Sequence, residues 1–155
     1  MSLRERLDEE LKAAMKSSDA MRRDSLRMVL AAVQKTEKEI TRGRALTDDE
    51  MIGVFTREIK VRHESVDTFR AGGREDLVAR EEAAIAVVSE FMPEQLPEAD
   101  LRALIGQAIV ETGAASPRDM GKVMGWLSPR TRGKADGKVV SQLVSQLLAA
   151  HSAGS

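Results

Sequence analysis

Apolar residues return every three or four positions along almost the whole chain, and no stretch shows sustained alternation. That period fits amphipathic helices and leaves no segment shaped to cover a sheet. The chain of 155 residues is therefore expected to be all-α. Its composition agrees: aromatics are 3 %, tyrosine is absent, and Ala, Leu, Arg and Glu dominate. With 42 % hydrophobic and 32 % charged residues, the chain can bury a core and is not a disordered one.

The pattern predicts seven helices in two groups. The first group spans residues 1–93. Its first helix covers about Ser2 to Lys16, with Leu3, Leu7, Leu11, Ala14 and Met15 inward. A second runs from Asp19 to about Arg42, with Leu26, Val29, Leu30, Val33 and Ile40 inward and Gly43 just past its end. A third opens on Thr47-Asp48-Asp49-Glu50, a capping-box sequence, and stops at Gly72-Gly73. Phe55, Ile59, Val66 and Phe69 line its apolar arc. A fourth covers about Arg74 to Met92. Pro93 and Pro97 then forbid a continuous helix and mark a domain boundary.

The second group, residues 98–151, is a smaller three-helix domain. Its first helix ends at Gly113. Ser116-Pro117-Arg118-Asp119 reads as N-cap, N1 proline, N2 and acidic N3 before a helix carrying Met120, Val123, Met124 and Leu127. Pro129 to Ala135 reads as a basic turn. Asp136 caps the last helix, and residues 151–155 are expected to fray.

Several chemistries are excluded or left without support. The chain has no cysteine, so it has no disulfide, thiolate zinc site or cysteine nucleophile. No phosphate-binding glycine loop, zinc-protease motif or nucleophile elbow is present. No glutaminase-type Ser or Cys motif is present either, and releasing ammonia from glutamine needs such a nucleophile. No catalytic residue, metal ligand or cofactor is assigned. The N-terminus has no apolar secretory core, and no run is long enough to span a membrane. A cytoplasmic protein without a membrane partner is the resulting expectation. His63 reads as a boundary histidine and His151 as a tail residue. Arg62 falls inside an apolar arc, where it must pair, and Glu82 is the expected partner.

Residues 116–140 stand apart. They hold six Lys/Arg against two Asp in a chain of net charge −1. They also contain Gly121 and Gly125 within a helical pattern, where each costs about 1 kcal/mol relative to alanine. On a helical wheel the two glycines lie between the core face and the basic face. Two readings follow: a neighbouring helix or hairpin of the same chain crosses there, or a partner backbone such as a phosphodiester docks there. Arg118, Lys122, Arg130, Arg132, Lys134 and Lys138 are the candidate phosphate contacts. Trp126 lies beside Lys122, either packed into the core or offered for base stacking.

The same residues carry a family resemblance. Asp119-Met-Gly-Lys-Val-Met-Gly125, followed by Gly133-Lys-Ala-Asp-Gly137, resembles the signature of GatB/YqeY-like proteins. Phe91-Met-Pro-Glu-Gln-Leu96 resembles the family's junction, and Gly73-Arg74 with Asp76-Leu77 and Arg57-Glu58-Ile59-Lys60 with Arg62 resemble its first-domain pattern. Trp126 and Ala84 depart from it, standing where a smaller or aliphatic residue is expected and where a glutamate often stands. The resemblance implies a helical N-terminal part and a small C-terminal domain similar to the tail of GatB. GatB is the subunit of the glutamine-dependent amidotransferase that corrects misacylated tRNA, and there the tail helps hold tRNA.

Three functions are thereby in play. The first is a tRNA-binding or accessory module of translation without its own catalytic centre. The second is a protein-interaction adaptor that receives a helix of an amidotransferase or other translation-related partner on the Gly121/Gly125 strip. The third is a carbon–nitrogen ligase with glutamine as amido-N-donor in its own right.

Overall fold

The computed structural model describes residues 1–154. It is all-α, and among the described residues no strand occurs. The chain divides into two compact units, Met1–Met92 and Pro93–Ser155.

The first unit holds α1 (Leu3–Lys16), α2 (Ala20–Glu39), α3 (Asp48–Ala71) and α4 (Glu75–Ser89). The sequence encodes the starts of the first three. Ser2 and Glu5 form a reciprocal capping box on α1, and Asp19 accepts from the Arg22 amide at the head of α2. Thr47 accepts from the Glu50 amide, but Glu50 does not reach back: its carboxylate lies 3.0 Å from Arg44 Nη2 instead. The expected capping box is thus half made, because an arginine outbids a backbone amide for the carboxylate.

Leu7, Leu26, Val29, Val33, Met51, Val54, Phe55, Val88 and Phe91 form the core of this unit. Phe55 and Phe91 meet with ring centroids 6.1 Å apart in a tilted pair. Two residues placed inward from periodicity lie outside: Met15 is 51 % exposed and Ile40 is 68 % exposed. Ile40 keeps helical φ and ψ and donates to Thr36 O at 2.9 Å, but it lies about two turns past Val33, the last buried residue of the helix.

The unit is tied off at its ends. Arg6 Nη2 donates to the Glu90 carbonyl at 2.7 Å, and its guanidinium lies 4.8 Å from the Phe91 ring centroid. Arg22 bridges Glu90 at 2.9 Å and Glu10 at 2.8 Å. Its pKa is raised by hydrogen bonds to these two carboxylates. Helix α4 ends at Ser89, short of the expected Met92. Glu90, Phe91 and Met92 instead donate to carbonyls three residues back, a tightened last turn.

Arg62 is paired as expected, but with Glu81, at 3.0 Å, and with Glu58 of its own helix at 3.4 Å. Glu82 goes to the exposed Arg70, at 2.9 Å. The one-residue difference turns Glu81 toward α3 and Glu82 toward solvent. Arg62 Nε is buried without a hydrogen-bond partner.

The second unit packs α5 (Glu98–Thr112), a single 3-10 turn (Pro117–Asp119), α6 (Met120–Thr131) and α7 (Gly137–Ala153). Leu101, Ile105, Ala108, Ile109, Val123, Leu127, Val140, Leu143, Val144 and Leu148 are its core. Gly113 ends α5 at φ 69°, the left-handed conformation that glycine adopts without strain. Two boundaries differ from expectation. Helix α6 continues through Pro129 to Thr131, where residues 129–135 read as a turn. Proline removes only its own amide bond, and the ladder resumes with Arg132 N donating to Ser128 O at 3.1 Å. Thr131 is buried and its hydroxyl donates to Leu127 O. At the other end, α7 runs through Ala153 rather than fraying at 151; of that expectation, only Ser155 lies outside the described residues.

Candidate nucleic-acid interface

Helix α6 is set up by the residues before it. Ser116 and Asp119 form a reciprocal capping box, with Asp119 Oδ2 accepting from the Ala115 amide at 2.8 Å and the Ser116 amide at 3.4 Å. These two amides, and then the nearby Lys122 ammonium, hold the Asp119 carboxyl below its usual pKa. The 3-10 turn removes Arg118 from the helical wheel on which periodicity had put it. Its side chain is exposed, and among the described residues it makes no hydrogen bond or ion pair.

Gly121 and Gly125 lie in α6 and face open space. A methyl group at either position would meet no heavy atom within 4 Å beyond its chain neighbours and the backbone of its own helix. Within this unit no neighbouring helix or hairpin packs on the strip at these two positions. The core of this unit meets α6 through Val123 and Leu127, on another side of the helix. The strip remains bare.

Beside it, Lys122, Trp126 and Arg130 stand at i, i+4 and i+8, one above the other on α6. Lys122 Nζ makes only a loose contact with Asp119, at 3.8 Å. Trp126 is half-buried, with part of its surface packed against the core. The Arg130 guanidinium carbon lies 3.7 Å from the indole centroid, and Nη1 donates to Trp126 O at 2.5 Å. The tryptophan thus serves the core and also carries a cation on its outer side.

Lys138 follows in the first turn of α7, and Arg132 and Lys134 in the α6–α7 turn. All three are exposed, and among the described residues none of their side chains makes an ion pair. The turn carrying them is held by residues from the start of the unit. Gln95 Nε2 donates to Gly133 O at 2.6 Å, and Leu96 N donates to Lys134 O at 2.8 Å. Sequence reasoning gave Gln95 no role; its only signal was its place in the Phe91–Leu96 junction. Asp136 caps α7 by accepting from the Lys138 amide at 2.8 Å, so one amide at that helix start is already occupied by a carboxylate.

Five of the six candidate phosphate contacts therefore belong to α6 and its flanking turns, Lys138 lies in the first turn of α7, and Arg130 is additionally committed to Trp126. The remaining candidates fall elsewhere. His63 and His151 are exposed helical residues. Among the described residues no group of His, Cys, Asp and Glu is arranged to hold a metal ion, and no helix is long and apolar enough to cross a membrane.

A family model described as Yqey-like protein matches residues 4–148. Similar curated proteins share one name, "Altered inheritance of mitochondria protein 41, mitochondrial". The one from Pyrenophora tritici-repentis is 30 % identical over 151 residues, covering 94 % of this chain and 80 % of its own. That from Lachancea thermotolerans is 26 % identical over 141 residues, 86 % of this chain and 74 % of its own. That from Saccharomyces cerevisiae (strain YJM789) is 30 % identical over 88 residues, 57 % of this chain and 46 % of its own. The cytoplasmic expectation is corrected by these names, which are those of mitochondrial proteins. A cysteine-free chain suits any reducing compartment, and a missing secretory core speaks only to secretion.

Proposed function

The chain belongs to the YqeY-like family, and from that premise we propose that its C-terminal unit is a tRNA-binding accessory module without a catalytic centre of its own. One observation carries the reading: Arg130 lies over Trp126, with Lys122 one turn before it on α6, beside a strip where Gly121 and Gly125 leave open space. A phosphodiester backbone needs cations within reach and room to approach, and this face offers both. Arg118, Arg132, Lys134 and Lys138 flank it with unpaired side chains. The whole chain carries a net charge of −1, so binding relies on this local surface rather than on bulk attraction.

The link to the glutamine-dependent amidotransferase rests on the resemblance to the GatB tail, and it gives the module a place beside that enzyme rather than its chemistry. Ligase activity of the isolated chain is tested with glutamine, ATP and misacylated tRNA; turnover would reverse this ranking.

The binding test is fluorescence anisotropy of labelled tRNA across salt, with wild type and an Arg118→Ala/Lys122→Ala/Arg132→Ala/Lys134→Ala variant. Wild-type affinity should fall linearly in log salt, and the variant should lose about 0.7–0.9 of slope for each phosphate contact removed. No detectable binding at low salt defeats the reading. The adaptor reading draws on the same bare strip. It gains if Gly125→Leu abolishes co-purification of a defined translation protein while tRNA binding is unchanged.

A further inference from the structure

We propose that the Arg130 guanidinium, held over Trp126, is a stacking platform for one unpaired nucleobase, so that the α6 face prefers single-stranded or loop RNA to duplex. This deepens the RNA reading above and rests on it. The geometry supplies a plane rather than only a charge. The guanidinium carbon sits 3.7 Å from the indole centroid, a stacked distance, and Nη1 is fixed by the Trp126 carbonyl at 2.5 Å. Two anchors hold a side chain that on an exposed helix would otherwise sample many rotamers.

Trp126 is in turn fixed from below by the core of the unit. The guanidinium thus lies over the indole on an exposed residue, which leaves it within reach of a base. Bases stack on guanidinium planes as they do on aromatic rings, and they can do so only when unpaired and splayed from a helix. Gly125 precedes Trp126, and neither it nor Gly121 presents a side chain that would block a nucleotide reaching the platform. Lys122, one turn before Trp126, is placed for the adjoining phosphate. A duplex would meet the same cations but could not offer a base face.

Arginine and lysine differ here in a way that separates stacking from charge, because lysine keeps the charge and lacks the plane. The experiment compares wild type and Arg130→Lys, full chain, against three ligands of equal length: oligo(A), an abasic oligonucleotide, and a duplex. Wild type should bind oligo(A) about tenfold more tightly than the abasic strand. Arg130→Lys should erase that preference, so that oligo(A) and the abasic strand bind the variant with equal affinity. Trp126 is the only tryptophan in the chain, so its emission should change with oligo(A) and not with the abasic strand.

If oligo(A) and the abasic strand bind wild type alike, stacking is refuted and the electrostatic RNA reading stands. If duplex binds as tightly as oligo(A), the single-strand preference is refuted. If no strand binds at low salt, the RNA reading itself has failed. Adenosine monophosphate completes the set: affinity equal to that of oligo(A) would make this a nucleotide site and overturn the proposal.

Discussion

Gln95 and Gly133 are joined across 38 positions of sequence by one side-chain hydrogen bond of 2.6 Å. With the Leu96 amide on Lys134 O, it fixes the turn from which Arg132 and Lys134 project. Gln95→Ala should cost about 1 kcal/mol in urea unfolding. It should also raise hydrogen exchange at the amides of residues 132–135 more than at the centre of α7. Uniform acceleration across the unit would show that Gln95 does not act on the turn in particular.

Gly121 and Gly125 offer a sharp sign test. A methyl group at either meets no heavy atom within 4 Å beyond its chain neighbours and its own helix backbone, so Gly121→Ala and Gly125→Ala should each stabilise the protein by about 0.5–1 kcal/mol. Thermal melting checks this. Destabilisation by either alanine would mean that the strip is packed in solution. If the strip is a docking face, Gly125→Leu should leave the fold intact and weaken tRNA binding.

The Arg62 pair distinguishes two adjacent glutamates. Glu81 is 16 % exposed and faces Arg62, which is 21 % exposed. Glu81→Ala should cost about 1–3 kcal/mol, because it leaves a half-buried arginine short of a partner. Glu82→Ala removes an exposed pair with Arg70 and should change stability by less than about 0.5 kcal/mol. Equal losses would contradict this assignment. Replacing both Arg62 and Glu81 by methionine should recover much of the Glu81→Ala loss, since Arg62 Nε already lacks a partner.

Asp119 predicts a pH dependence. Its carboxyl is held below the ordinary 3.8, first by the Ala115 and Ser116 amides and then by Lys122. A depressed carboxyl contributes stability that is present above its unfolded pKa and is lost as pH falls through the folded one. Wild type should therefore exceed Asp119→Asn in stability at neutral pH, and the gap should close below about pH 4. A gap that is constant with pH would assign the effect to shape rather than ionisation.

Much of the fold was legible because caps are local. Ser2, Asp19, Thr47, Ser116 and Asp136 each start an element as their side chains dictate. Helix ends were harder. The end of α2 depends on the backbone turning left-handed at Arg42, which no periodicity encodes. The end of α6 ran past a proline because Thr131 found a buried position. At the candidate site, charge and glycine were visible in the sequence. The Arg130–Trp126 stack was hidden because residues 129–135 read as a turn, which broke the i, i+4 relation that α6 makes, and the Gln95 tether was hidden because it joins positions 38 apart in sequence.

The clamp of Arg6 and Arg22 on Glu90 has a consequence for biosynthesis. It joins the first helix of the unit to its final turn, 84 residues apart between Arg6 and Glu90. On a ribosome, α1 emerges long before its partner does. Until Phe91 leaves the exit tunnel, Arg6 has neither its carbonyl nor its ring, and the core pairing of Phe55 with Phe91 cannot form. The clamp and the aromatic pair are therefore completed only once residues 90 and 91 are available to α1, α2 and α3.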